Sequence, residues 1–213
     1  MTRLYQIARP LDIIERSVYN DGMGRPRSFD ADAVLDKAVE TFRSKGYDGT
    51  SVDDLERATG LRRASLYGAY GDKRALYLAA LRRYDATRTV RMLSRLNEAK
   101  NGKAALELLF SIVLTECAGD PGGCLMGNAA NERGAHDAGV ARCVADNRRR
   151  LEGGLTAAVL RGKADGSLRG NGDARETARF LLAAVLGMRA LAKSGATRAE
   201  LSGVLRSALA AAG

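Results

Sequence analysis

Cysteine and histidine are scarce in this 213-residue chain, with three of the first and one of the second. Cys117, Cys124 and Cys143 are unevenly spaced and do not make a disulfide framework in a chain of this size. Together with His136 they hold enough donors for a tetrahedral metal site, but no pair has the short spacing typical of one. Long hydrophobic runs are missing as well. The longest, Phe180–Met188, falls far short of the roughly 20 residues a bilayer helix needs. No segment has the charged, apolar and small-residue regions of a signal peptide. A soluble, cytoplasmic protein without a membrane partner is expected. No apolar–polar alternation marks a strand, so the predicted fold class is all-α.

What the chain has is positive charge: 34 lysines and arginines against 25 acidic residues, net +9, with a pI near 9.8. That balance fits a nucleic-acid partner but reports on association, not fold. The surplus is spread over the whole chain, so placement matters more than total. Arg25, Arg27, Arg62, Arg63 and Lys73 gather around one segment, residues 51–73, SVDDLERATGLRRASLYGAYGDK.

That segment reads as two short helices about a tight turn. Ser51 is placed to cap the first helix, and Asp53 and Asp54 complement its dipole. Val52, Leu55 and Ala58 recur at helical spacing, and Gly60 supplies the left-handed residue that ends the helix. A second helix starts near Arg62–Arg63. Leu66 is its inward contact, which leaves Arg62, Arg63, Ser65 and Gly68 on the open face. Guanidiniums beside a hydroxyl and a glycine suit a surface that must approach a nucleic-acid groove. Tyr67, Tyr70 and Lys73 follow with phosphate-donor chemistry. By itself, a helix–Gly–helix segment is also the signature of an ordinary helical hairpin with solvated arginines.

The residues around the segment extend it into a longer ordered pattern. Residues 24–77 closely resemble the N-terminal DNA-binding domain of the TetR family of bacterial transcriptional regulators. The resemblance rests on Gly24-Arg25-Pro26-Arg27, Ala38, Phe42, Gly46-Tyr47, the run Thr50–Leu55, Ala58-Thr59-Gly60-Leu61, Ser65-Leu66-Tyr67, Tyr70, Lys73 and Ala75-Leu76. Three positions depart from the family pattern. Glu56 replaces a small residue, Arg62 stands where a serine or threonine usually caps the recognition helix, and Ala69 replaces a frequent histidine.

The resemblance implies a three-helix helix-turn-helix domain over 23–75 and a C-terminal helical domain for effector binding and dimerisation over 76–213. Residues 1–22 form an extension outside both, and Met23, just before the Gly-Arg-Pro-Arg start, is an alternative initiator. The Arg63–Gly68 helix would enter the major groove, with Arg63 and Ser65 at base edges and Ser51, Tyr67, Tyr70 and Lys73 on phosphates. Arg62 would reach the DNA backbone. Arg25 and Arg27 form either a groove-binding arm or a solvated leader.

Further helices are expected over Lys73–Leu96, Lys103–Ala118, residues 124–135, Asp137–Ala164, and residues 173–193 and 197–211. The last two have wide apolar faces that suit a homodimer interface. Phe110, Leu114, Cys117, Met126, Asn128 and Met188 are candidate walls of an effector pocket, or simply core. The cysteines read first as small buried hydrophobes, then as redox sensors, metal ligands and, last, nucleophiles. Some family members with a stretch like Gly123–Asn128 are linked to metal or oxidant responses. The predicted function is a dimeric repressor of a palindromic double-stranded operator, released by a small-molecule, metal or oxidant signal, with no cofactor and no enzymatic activity. The alternatives are a helical interaction module that does not bind DNA and a small cysteine-dependent enzyme.

Overall fold

The first described helix, α1 (Ala31–Lys45), carries Val34, Ala38, Val39 and Phe42 on one stripe, and all four are buried. Gly46 ends it at φ 75°, a left-handed conformation that favours glycine. The computed structural model describes residues 29–119 and 122–213; the extension 1–22 and the arm holding Arg25 and Arg27 lie outside them. After α1 come α2 (Val52–Thr59) and α3 (Arg63–Tyr70), then α4 (Lys73–Tyr84) and α5 (Val90–Glu98). Five more helices complete the described chain: α6 (Gly102–Gly119), α7 (Leu125–Arg133), α8 (Ala138–Ala164), α9 (Ala174–Lys193) and α10 (Arg198–Ala212). Among the described residues there is no strand, and the fold is all-α. No described helix is long and apolar enough to cross a membrane.

Phe42, Tyr47 and Tyr77 form the aromatic centre of the N-terminal unit. Tyr77 meets Phe42 edge-on at 4.8 Å, and the Tyr47 ring lies 4.8 Å from Tyr77. Arg83 of α4 forks onto Asp36 of α1 with two 2.8 Å hydrogen bonds, a bidentate geometry that fixes their relative orientation. The second core lies among α5, α6, α8, α9 and α10, with Leu106, Phe110, Val113, Val159, Leu181 and Met188 inside it.

Two sets of polar contacts fasten the N-terminal helices to α7 and α8. Glu132 accepts the Tyr47 backbone N–H at 2.7 Å, and Asn128 donates to the Arg43 carbonyl at 3.2 Å. Asp137 caps α8 through the N–H groups of Gly139 and Val140 and also receives Arg74 in a bidentate pair at 2.6 and 2.7 Å. With Arg74 first among the causes, its carboxyl is held well below the usual carboxylate range.

The helix expected over Lys73–Leu96 is continuous but not regular. Residues Asp85–Thr89 form a π-turn between α4 and α5. Such a turn inserts a residue that the α-helical ladder cannot satisfy and needs outside support. Buried Asn147 of α8 supplies it, donating to Asp85 Oδ1 at 2.7 Å and Thr89 Oγ1 at 2.9 Å.

Candidate nucleic-acid interface

The helix-turn-helix is built as its residue types require. Ser51 and Asp54 form a reciprocal capping box at the start of α2: the Ser51 hydroxyl accepts from the Asp54 N–H at 3.1 Å, and Asp54 Oδ2 accepts from the Ser51 N–H at 3.0 Å. Lys45, the Ser51 groups and Arg57 hold the buried Asp54 carboxyl well below its ordinary range. Gly60 closes α2 at φ 75°, with its N–H on the Glu56 carbonyl.

On α3, Leu66 is completely buried and anchors the helix. Arg62, Arg63, Ser65 and Gly68 are exposed on it or just before it. A Cβ added at Gly68 would meet nothing within 4 Å, so this part of the helix presents bare backbone to its surroundings. The Arg63 guanidinium lies 5.4 Å from the Tyr67 ring centroid, one helical turn on. Tyr67 and Tyr70 are half-buried. Lys73 opens α4 with its ammonium over the Tyr47 ring at 4.5 Å. Ser51, exposed, already spends its hydroxyl in the capping box.

Two of the departures from the family pattern turn out to be connected. Arg62 provides no side-chain cap for α3. Instead Glu56 Oε1, reaching from α2, accepts the Arg63 backbone N–H at 2.6 Å. One orphan donor of the recognition helix is therefore satisfied from the preceding helix. Glu56→Ala is expected to cost about 1 kcal/mol of stability, the ordinary worth of a lost cap. Adding Arg62→Ser in that background should restore it by placing a hydroxyl at the cap position. Thermal melts of the single and double variants check this; equal melting points for wild type and Glu56→Ala would show that the contact does not support the helix.

Of the six residues considered for an effector pocket, Phe110, Leu114, Met126 and Met188 are buried. Asn128 donates to the carbonyls of Arg43 and Gly122, and Cys117 lines the smaller of the two cavities described next. The larger cleft, about 650 Å³ of empty space including its open mouth, runs between Met92 and Leu93 of α5, Leu151 and Leu155 of α8, and Leu182 and Val185 of α9. A smaller one, about 380 Å³ on the same measure, is lined by Arg43, Arg88, Glu116, Cys117, Arg189 and Lys193. Side-chain periodicity placed the core but not the gaps in it, because a cavity depends on how helices diverge. The three cysteines are free and half-buried, and burial pushes the Cys117 and Cys143 thiols up. The Tyr84 hydroxyl donates to Cys124 Sγ at 3.7 Å. No group of three or more His, Cys, Asp or Glu side chains among the described residues is arranged to hold a metal.

A three-helix unit with an exposed basic second helix of a helix-turn-helix, joined to a helical domain with an internal cleft, defines a class of DNA-associated regulators. Residues 34–80 match the family model described as bacterial regulatory proteins, tetR family, and residues 103–208 match the Tetracyclin repressor-like C-terminal domain. The chain is 34% identical over 175 residues to YezE, an uncharacterized HTH-type transcriptional regulator of Bacillus subtilis, with 80% of this chain and 90% of that protein covered. It is 30% identical over 181 residues to ComR, an HTH-type transcriptional repressor of Escherichia coli, covering 84% and 86%. A solved complex of a cysteine mutant of the TetR-family regulator CifR with 26-base-pair operator DNA is similar at a TM-score of 0.77 and 31% identity, covering 88% of this chain and 99% of that one. The chain belongs to the TetR family of bacterial transcriptional regulators. It is a transcriptional regulator and not a cysteine-dependent enzyme.

Proposed function

We propose that the protein is a homodimeric repressor that binds a palindromic DNA operator and is released when an effector occupies its C-terminal domain. The exposed face of α3 carries this reading: Arg62, Arg63, Ser65 and Gly68 project away from Leu66, which is sealed in the core. In that reading Arg63 and Ser65 meet base edges, Arg62, Ser51, Tyr67, Tyr70 and Lys73 hold phosphates, and residues 23–75 and 76–213 are the DNA-binding and effector-binding halves. The operator complex of CifR and the repressor role of ComR support it by likeness.

Dimerisation is supported by α9. Phe180 is 50% exposed and Leu191 43%, and Ala183, Gly187 and Ala190 lie between them on the same side of the helix. A stripe that is apolar at its ends and small in its middle lets a second copy approach closely. An effector would act only by binding more tightly the state whose two recognition helices no longer match the half-site spacing.

The test is selection of binding sites from random DNA by the full chain, together with sedimentation equilibrium. A palindromic consensus bound by a dimer is expected, and Phe180→Glu with Leu191→Glu should yield a monomer that no longer binds it. Recovery of no enriched sequence would refute the operator reading; a monomeric wild type at micromolar concentration would refute the dimer.

A further inference from the structure

We propose that the effector is a neutral, mostly apolar molecule bearing a hydroxyl group, an alcohol or a phenol, seated in the larger cleft with that hydroxyl between Asn147 and Thr89. This rests on the regulatory reading above and names the ligand class of its effector site.

Most of the cleft wall is leucine, methionine and valine from α5, α6, α8 and α9. Most of its polar groups are already engaged. Arg189 is paired with Glu116 at 2.6 Å, and Arg88 with Glu40 of α1 at 2.5 Å. The Tyr84 hydroxyl donates to Cys124 Sγ. Each charged side chain on the wall thus has its counter-charge among the described residues. Such a space favours a neutral occupant, because an ion leaving water for it would find no partner of its own.

Asn147 and Thr89 are the exceptions. Asn147 is 4% exposed and gives both amide hydrogens to the π-turn, one to Asp85 Oδ1 and one to Thr89 Oγ1. A carboxylate oxygen only accepts, so the amide nitrogen must face the turn and Oδ1 must be directed elsewhere. Among the described residues Oδ1 accepts nothing, yet it is not one of the fully enclosed unpartnered atoms, which are the Tyr77 hydroxyl and Arg161 Nε. Its opening is onto the cleft that Asn147 lines. Thr89, 5% exposed on the same wall, accepts from Asn147 and gives its own proton to none of the described groups. An acceptor beside a donor on an apolar wall complements a hydroxyl, which donates with its proton and accepts with its lone pairs. A carboxylate or an ether only accepts and would set its oxygen against Oδ1. An ammonium only donates and would leave Thr89 unmet.

The same two side chains brace the π-turn that joins α4 to α5. Regularising Asp85–Thr89 into α-helix would remove its extra residue and rotate one flank against the other by about 100°. Thr89 and Asn147 would then no longer stand side by side, and the hydroxyl site would be gone. A ligand that needs both binds the π-form more tightly, which is the differential affinity an effector requires. The turn also touches the DNA-binding unit. Arg83, just before it, forks onto Asp36 of α1, and Arg88 within it donates to Glu40 of α1.

Isothermal titration calorimetry, with the full chain titrated into each compound, tests the proposal. The probes are 4-propylphenol and octan-1-ol, each beside its methyl ether, the hydrocarbon with methyl in place of hydroxyl, and the corresponding carboxylate. At least one hydroxyl compound is expected to bind about tenfold or more tighter than its ether and its hydrocarbon, and tighter than its carboxylate. Thr89→Val, close in shape, should cut the preference for hydroxyl over hydrocarbon severalfold, and Thr89→Ser should keep it. Leu151→Phe, which fills the cleft, should abolish binding. If Thr89→Val does not fold, the ether and hydrocarbon comparisons on the wild type decide alone. The proposal is overturned if neither hydroxyl compound binds, if an ether or carboxylate binds as tightly as its hydroxyl counterpart, if folded Thr89→Val keeps the wild-type preference, or if Leu151→Phe still binds. Operator binding is read in parallel by fluorescence anisotropy. Hydroxyl binding that leaves DNA affinity unchanged would sink the regulatory reading while the site stands. Release from DNA by a compound without a hydroxyl, when neither hydroxyl compound binds, would do the reverse.

Discussion

Gly102→Ala is expected to destabilise the protein by about 2–3 kcal/mol, a drop of about 5–10 °C in Tm for a chain of this length. A Cβ at this position would lie 2.1 Å from the Gly162 nitrogen, 2.2 Å from the Gly162 Cα and 2.5 Å from the Ala158 carbonyl oxygen. All three are backbone atoms, so no side chain can swing aside. Relief requires α6 to move away from α8, and that movement breaks what holds the crossing. Asp165 accepts the Gly102 N–H at 3.0 Å, and Ser167 accepts the Lys103 N–H at 3.1 Å. Gly153→Ala is the matched control. That glycine lies in the middle of α8 with nothing within 4 Å of an added Cβ, so alanine there should raise stability by up to about 1 kcal/mol through helix propensity. Thermal melts of the two variants should move in opposite directions. A Gly102→Ala melt within a degree of wild type would mean that the helices are not locked together at this point.

Arg63→Ala is expected to lower operator affinity by about 10- to 100-fold and to relax the preference at one base pair of each half-site. This is the behaviour of a guanidinium that reads a base edge. Lys73→Ala should behave differently. Phosphate contacts carry no sequence information, so its loss should weaken all sequences alike and lower the salt slope of binding by about one. Its effect should also be the smaller, because the ammonium must leave the Tyr47 ring to reach a phosphate. Tyr67→Phe separates the phenol hydroxyl from the ring that Arg63 approaches. Anisotropy titrations against the consensus and single-base variants, at two salt concentrations, distinguish these cases. If Arg63→Ala binds every variant as wild type does, base reading lies elsewhere on α3.

Most of the helical architecture was legible because it follows from local rules. Ser51, Asp54 and Gly60 announce the ends of α2 through capping and left-handed geometry, and the stripe from Val34 to Phe42 announces the buried side of α1. The open face of α3 was readable for the same reason, since one leucine in a short helix fixes which side points inward.

Long-range geometry was not legible. Gly102 reads in the sequence as part of a break between helices, and nothing local says that another glycine, some 60 positions later, packs against it. The π-turn at Asp85–Thr89 depends on an asparagine from α8, so a periodicity pattern passes over it as ordinary helix. The smaller cavity is assembled from α1, the π-turn, α6 and α9, and none of these segments announces a cavity by itself.

The carboxylate of Glu56 ties together two positions on different helices. A family pattern with a small residue on α2 and a hydroxyl at the cap position serves the helix locally; here the acceptor has been moved to another helix, which leaves position 62 open to arginine. The two positions are therefore interdependent: an arginine at 62 leaves the helix end without a side-chain cap unless position 56 carries an acceptor long enough to reach the Arg63 N–H, so the guanidinium at the exposed end of α3 comes at the cost of freedom at position 56.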